Sequence, residues 1–169
     1  MRSAYRVCFV CTGNICRSPM AESVFRARVA EAGLGEVIEV DSAGTRAWHE
    51  GDGADRRTIA VLETNGYESE HSARQFRAAW FPLLDLVIAL DEGHARELRR
   101  LAPTAADAAK VRLLRSYDRP SPDLAAGDLD VPDPYYGSMD GFEECLAMVE
   151  AASEGLLDAV RTAVEEQAA

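Results

Sequence analysis

The apolar run Val7-Cys8-Phe9-Val10 leads straight into Cys11-Thr12-Gly13-Asn14-Ile15-Cys16-Arg17-Ser18-Pro19, and an amphipathic pattern follows. The run reads as a buried parallel strand and the pattern beyond Pro19 as a helix, so the residues between form a strand-to-helix turn. The first turn of a helix leaves backbone N–H groups without partners, and Gly13 and Asn14 are residue types that tolerate left-handed backbone angles. A turn of this kind curls its amides into a nest that binds a phosphate and favours a thiolate over a thiol. Cys11 stands at the mouth of that nest. Arg17, six residues on, offers a planar fork for two phosphate oxygens, and Ser18 can donate a hydroxyl hydrogen bond to the sulfur. A Cys and an Arg at this spacing are weak evidence alone, and a tight turn with a buried Cys and a surface Arg is the plain alternative. The Gly, the Asn, the Ser and the flanking strand and helix are independent requirements of one mechanism.

Further along, strands alternate with helices. The first strand spans 5–10, and a helix follows to about Gly33 with Ala21, Val24, Phe25, Val29 and Ala32 on its apolar face. A second strand is expected at Val37–Val40, a loop over 44–54, and a helix from about Asp55 to Asn65 closed by Gly66. A short helix near Ala73 to Trp80 precedes the strongest strand, Leu86–Leu90, after which Asp91 caps a helix over Glu92–Leu101. Val111–Leu114 gives a fourth strand, and residues 116–137, rich in Pro, Gly and Asp, a long ordered loop. The last helix runs from about Ser138 to Glu165 with Phe142, Leu146, Val149, Leu156, Val160 and Val164 as its core stripe. This alternation predicts an α/β fold with a parallel sheet covered by helices on both faces. At 169 residues and 47% hydrophobic, the chain is sized for a single domain over 1–169.

The stretch Cys11 to Pro19 resembles the signature of the low-molecular-weight protein tyrosine phosphatases. Asp41-Ser42-Ala43-Gly44, His71-Ser72-Ala73-Arg74-Gln75 and Asp133-Pro134-Tyr135-Tyr136-Gly137 follow in the order and spacing of that family. The resemblance implies a three-layer sandwich with a four-stranded parallel sheet in the order 2-1-3-4. It also implies hydrolysis of phosphotyrosine through a cysteinyl-phosphate on Cys11, with no cofactor. Arg17 and the loop Thr12, Gly13, Asn14, Ile15, Cys16 and Ser18 would hold the phosphate. Expelling a phenolate calls for a carboxylic acid, and the resemblance selects Asp133 from a loop that also holds Asp118, Asp123, Asp128 and Asp130. Prolines at 132 and 134 would keep that acid extended and stiff. The resemblance places Ser42 and His71 in a hydrogen-bond network around Asn14; a surface role for His71 beside Glu70 is the equal alternative. Trp48, Tyr135 and Tyr136 are candidate aromatic walls for a substrate ring, with ordinary loop packing as the other reading. The resemblance extends to phosphorylation of the tyrosine pair by a tyrosine kinase, and to a reversible disulfide between Cys11 and Cys16.

Other assignments narrow the field. Net charge is −11 and no basic patch is evident, which argues against nucleic acid as a partner. No apolar run reaches the length of a membrane span, the N-terminus lacks a signal-peptide core, and four scattered cysteines make no disulfide scaffold, so a cytoplasmic protein is expected. His49 and His94 read as surface residues, and Cys8 lies inside a strand, which leaves no convincing metal site. With no surplus apolar stripe, a monomer is expected. Among other chemistries on this fold, an arginine phosphatase would carry a threonine where Ile15 stands, and an arsenate reductase would need a cysteine pair where the chain has only Cys145. A non-enzymatic phosphoresidue-binding module would need neither Cys11 nor Asp133.

Overall fold

A computed structural model of the chain describes residues 4–118 and 128–169. Four strands, β1 (Tyr5–Cys11), β2 (Ile38–Gly44), β3 (Leu86–Ala89) and β4 (Val111–Leu113), form one parallel sheet in the order β2-β1-β3-β4. The helices are α1 (Arg17–Glu31), α2 (Arg56–Thr64), α3 (Glu92–Leu101), α4 (Ala105–Ala108) and α5 (Met139–Ala168). Successive side chains of β1 point to opposite faces of the sheet, so this central strand is apolar on both. Val7, Phe9 and Cys11 join a core built with α1 and α5, whereas Cys8 and Val10 join a second core with Val87, Ala95, Leu98 and Val111. That division makes three layers. Phe9 and Phe25 meet edge to face at 5.6 Å, and burying each such side chain stabilises the fold by about 1.5–3 kcal/mol.

Several elements depart from expectation. β2 begins at Ile38 and runs four residues past Val40, because Asp41–Gly44 pairs in register with Cys8–Cys11. The β1 ladder overrides the weak strand propensity of Asp, Ser and Gly. The helix expected near Ala73 to Trp80 forms only from Ala78 onward, and 73–77 is not helical. Gly44 N donates to Arg74 O and Phe76 N donates to Gly44 O, both at 2.8 Å, which draws this segment into extended pairing beside β2. A 3-10 helix, Ala78–Leu83, follows and buries Phe81. The short helix α4, capped by Thr104, was not expected at all, and β4 gives way at Leu114 to a 3-10 turn through Tyr117. That turn occupies the start of the expected long loop. Residues 119–127, including Asp123, lie outside the described residues, whereas 128–138 follow an irregular path. Helix α5 buries Phe142, Leu146, Val149, Leu156 and Val160, with Val164 only partly covered. Among the described residues, no helix is long and apolar enough to cross a membrane.

Candidate active site

The loop between β1 and α1 leaves the sheet at the carboxyl end of its central strand, where open α/β sheets bind ligands. Asn14 has φ of 58° and supplies the left-handed turn. Gly13, expected to share that role, has no positive φ. Glycine is needed instead at Gly44 on β2, where a Cβ would lie 2.6 Å from Thr12 O and 3.1 Å from Asn14 N. The neighbouring strand therefore supports the loop from beneath at van der Waals limits.

Asn14 is fully buried and fully bonded. Its Nδ2 donates to Ser18 Oγ at 2.8 Å and Ser42 Oγ at 3.0 Å, and its Oδ1 accepts from Arg74 N at 3.0 Å. His71 Nε2 donates to Asn14 O at 2.6 Å, which buries the imidazole edge rather than leaving it at the surface. Ser42 passes its own hydrogen on to Glu22. Such a satisfied buried network leaves the loop little freedom.

Cys11 Sγ accepts from Ser18 N at 3.4 Å and lies 3.0 Å from Ser18 Oγ. Arg17 is almost wholly buried: Nη1 donates to Asp91 Oδ2 and to Val131 O, both at 2.8 Å, and Nη2 lies 3.7 Å from Asp133 Oδ2. Burial opposes the charge of Arg17, but Cys11, Asp91 and Asp133 outweigh it and hold its pKa above the ordinary value. Burial likewise works against the Asp91 carboxylate, yet the His94 N–H and the Arg17 guanidinium keep its pKa below the usual range. Asp91 thus caps α3, as expected, and also anchors Arg17, which was not foreseen.

His94 is 5% exposed and corrects the expectation of a surface residue. Its Nε2 faces Arg17 Nη2 at 3.5 Å and Thr12 Oγ1 at 2.8 Å. A guanidinium can only donate, so Nε2 is the acceptor for both and the ring proton resides on Nδ1. Burial first and the Arg17 charge second push the His94 pKa down to about 4, which keeps the ring neutral.

Cys11, Thr12, Gly13, Ile15, Cys16 and Arg17 form the floor of one cleft, with Trp48, His49, Asp133, Tyr135 and Tyr136 around it. Asn14 and Ser18, expected to hold the phosphate with the rest of the loop, have buried side chains, which leaves that role to their backbone amides. His49 is at the surface as expected, with 32% of its side chain exposed, and it lines the cleft, where a Cβ at Gly13 would meet its Cδ2 at 3.0 Å. Trp48 and Tyr136, at 71% and 92% exposed, stand free at the rim, and the two tyrosine rings meet edge to face at 4.9 Å. Cys16 is buried, which raises its thiol pKa, with the charges of Asp55 and Cys11 adding to the effect. A signal for Asp91 was available, since an acid at the carboxyl end of the strand beside β1 must face the catalytic loop. No local signal marked His94 or His49.

The sequence model for "Low molecular weight phosphotyrosine protein phosphatase" matches residues 6–167. The chain belongs to this family. It is 73% identical to the low molecular weight protein-tyrosine-phosphatase of Streptomyces coelicolor over 98% of this chain and 99% of the relative. It is 48% identical to low molecular weight protein-tyrosine phosphatase A of Mycobacterium tuberculosis over 94% of this chain and 93% of that one. The crystal structure of protein tyrosine phosphatase from Entamoeba histolytica superposes with a TM-score of 0.88 at 32% identity, covering 95% and 99% of the two chains. Membership settles the chemistry as phosphate-ester hydrolysis by a cysteine-dependent tyrosine phosphatase. The fold is likewise that of the family's solved members.

Proposed function

We propose that this phosphatase hydrolyses phosphotyrosine in proteins with Cys11 as nucleophile, Arg17 as phosphate clamp and Asp133 as general acid and then general base. The observation that carries the reading is the convergence of Cys11, Arg17 and Asp133 in one cleft. In the first step the Cys11 thiolate attacks phosphorus and the phenolate departs with a proton from Asp133. In the second, Asp133 takes a proton from water as it attacks the cysteinyl-phosphate, freeing phosphate and the thiolate. Loop amides from Thr12 to Ser18 at the N-terminal end of α1, with the Arg17 fork, match the charge on the equatorial oxygens. The apolar wall at Ile15 and the exposed rings of Trp48, Tyr135 and Tyr136 favour a phenyl ring over a guanidino group. Asn14, Ser18, Ser42 and His71 support the loop, and Cys16 serves as redox partner of Cys11.

The same reading extends to a single phosphatase domain over residues 1–169, a cytoplasmic monomer, and a tyrosine kinase that acts on the exposed Tyr136 or on Tyr135. Support for one domain comes from two cores that share a single sheet. The test is phosphate release from matched phosphotyrosine, phosphoserine and phosphoarginine peptides by wild type and Cys11→Ser, without metal and with reductant. Phosphotyrosine-selective turnover that vanishes in Cys11→Ser, with phosphate binding retained, is the expected result. Preference for phosphoarginine would overturn the substrate assignment, and undiminished turnover by Cys11→Ser would remove the nucleophile.

A further inference from the structure

The segment that carries Asp133 is anchored on both sides. Ahead of it, Val131 is buried, its N–H donates to Leu90 O at 2.9 Å, and its carbonyl accepts from Arg17. Behind it, Arg57 spans the turn: Nη2 donates to Tyr135 O at 2.9 Å and Nη1 to Gly137 O at 3.0 Å. Among the described residues, no other side chain donates to the main-chain carbonyls of 134–137. Arg57 is itself held. Its Nε and Nη2 donate to the Asp55 carboxylate at 3.1 and 3.0 Å, and its guanidinium lies 4.3 Å from the centre of the Phe142 ring. Asp55 caps α2, and its N–H donates to Ile15 O in the catalytic loop at 2.8 Å. A continuous path of hydrogen bonds therefore joins the nucleophile's loop to the acid's loop through Asp55 and Arg57.

We propose that Arg57 is a positioning residue for leaving-group protonation, holding the 134–137 turn so that Asp133 faces the departing oxygen. The proposal rests on the reading of Asp133 as general acid. Pro132 and Pro134 stiffen the chain on either side of Asp133, so a shift of the turn is transmitted to the carboxyl instead of being absorbed beside it. A guanidinium spreads five donors over a planar fork and here makes four hydrogen bonds to two carbonyls and a carboxylate, whereas an ammonium offers three donors from a single point. The loop that binds phosphate has its own supports in Asn14, Ser42 and Gly44, none of which touches Arg57.

The experiment compares kcat/KM for phenyl phosphate and p-nitrophenyl phosphate in wild type, Arg57→Ala and Arg57→Lys, each with and without Asp133→Asn, together with the inhibition constant of inorganic phosphate. Arg57→Ala is expected to lower kcat/KM for phenyl phosphate by roughly 10- to 100-fold and for the better leaving group by less. Phosphate inhibition should stay within about twofold, and the substitution should add little in the Asp133→Asn background. Equal losses for both esters, or a full loss in that background, would overturn the proposal. Leaving-group sensitivity in Asp133→Asn but not in the Arg57 variants would remove the positioning role alone. No such sensitivity in Asp133→Asn would remove the acid assignment, and the proposal with it. If Arg57→Ala does not fold, Arg57→Lys carries the same comparison.

Discussion

Arg17 Nη1 lies 2.8 Å from Asp91 Oδ2, a bond that ties the start of α1 to the start of α3 and fixes the guanidinium beside Cys11. Arginine at the N-terminus of a helix opposes the helix dipole and is nearly buried here, so a carboxylate partner is a physical requirement. Asp91→Ala is expected to lower stability by about 2 kcal/mol, between the values for exposed and buried pairs, because Asp91 keeps some contact with solvent. It should also reduce kcat/KM for aryl phosphates by roughly 10- to 100-fold through misplacement of Arg17. Urea denaturation and steady-state kinetics check both, and an unchanged midpoint would dismiss the stabilising role.

His94 links stability to pH. Its pKa falls from 6.5 to about 4 on folding, so between those values the unfolded chain binds a proton that the folded one refuses. Stability is therefore full above pH 6.5 and declines as pH falls toward 4, by up to about 3 kcal/mol. Arg17 opposes protonation of the ring, whereas Asp91, Glu97 and Asp133 favour it. In His94→Asn the decline across this window should shrink, and identical pH dependence in denaturation midpoints would show that the ring does not titrate as described.

Gly44→Ala tests the support beneath the loop. The new methyl would stand 2.6 Å from Thr12 O, a backbone atom that cannot swing aside. The expected result is a loss of about 1–3 kcal/mol and a phosphate inhibition constant raised at least several-fold. Wild-type inhibition by phosphate would mean that the loop tolerates displacement.

Mild peroxide should convert the Cys11 thiolate to a sulfenic acid with loss of hydroxide. The Cys16 thiol then attacks that sulfur, forming the disulfide and releasing water. Cys16 lines the cleft beside Cys11, whereas Cys8 packs into the core on the other face of the sheet and Cys145 is buried on α5 outside the cleft, so neither competes. Non-reducing peptide mapping should find Cys11 joined to Cys16 and activity restored by dithiothreitol; Cys11 paired elsewhere would reject the scheme.

Where the sequence was informative, the signal was local. Val7–Val10 is apolar at every position, as a strand covered on both faces must be, and the turn residues after it follow at fixed offsets. Asp133, Ser42 and His71 carried no such pattern and were reached through resemblance to a family. His94 was misread because its environment is assembled from Thr12 and Arg17, far away in the chain. The extended pairing of 73–77 escaped for the same reason, since its hydrogen bonds come from Gly44.

The order of apolar runs, caps and turns along the chain determined that it forms alternating strands and helices, and the Cys11–Ser18 loop determined that one turn can bind phosphate. These are properties of near neighbours, decided by backbone sterics and periodic burial. Tertiary structure decided which carboxylate anchors Arg17, which ring stays neutral beside it, and how Arg57 reaches the acid's loop. Those choices depend on distances between residues 74 to 78 positions apart, and only closing the sheet in the order β2-β1-β3-β4 brings such groups within hydrogen-bond range.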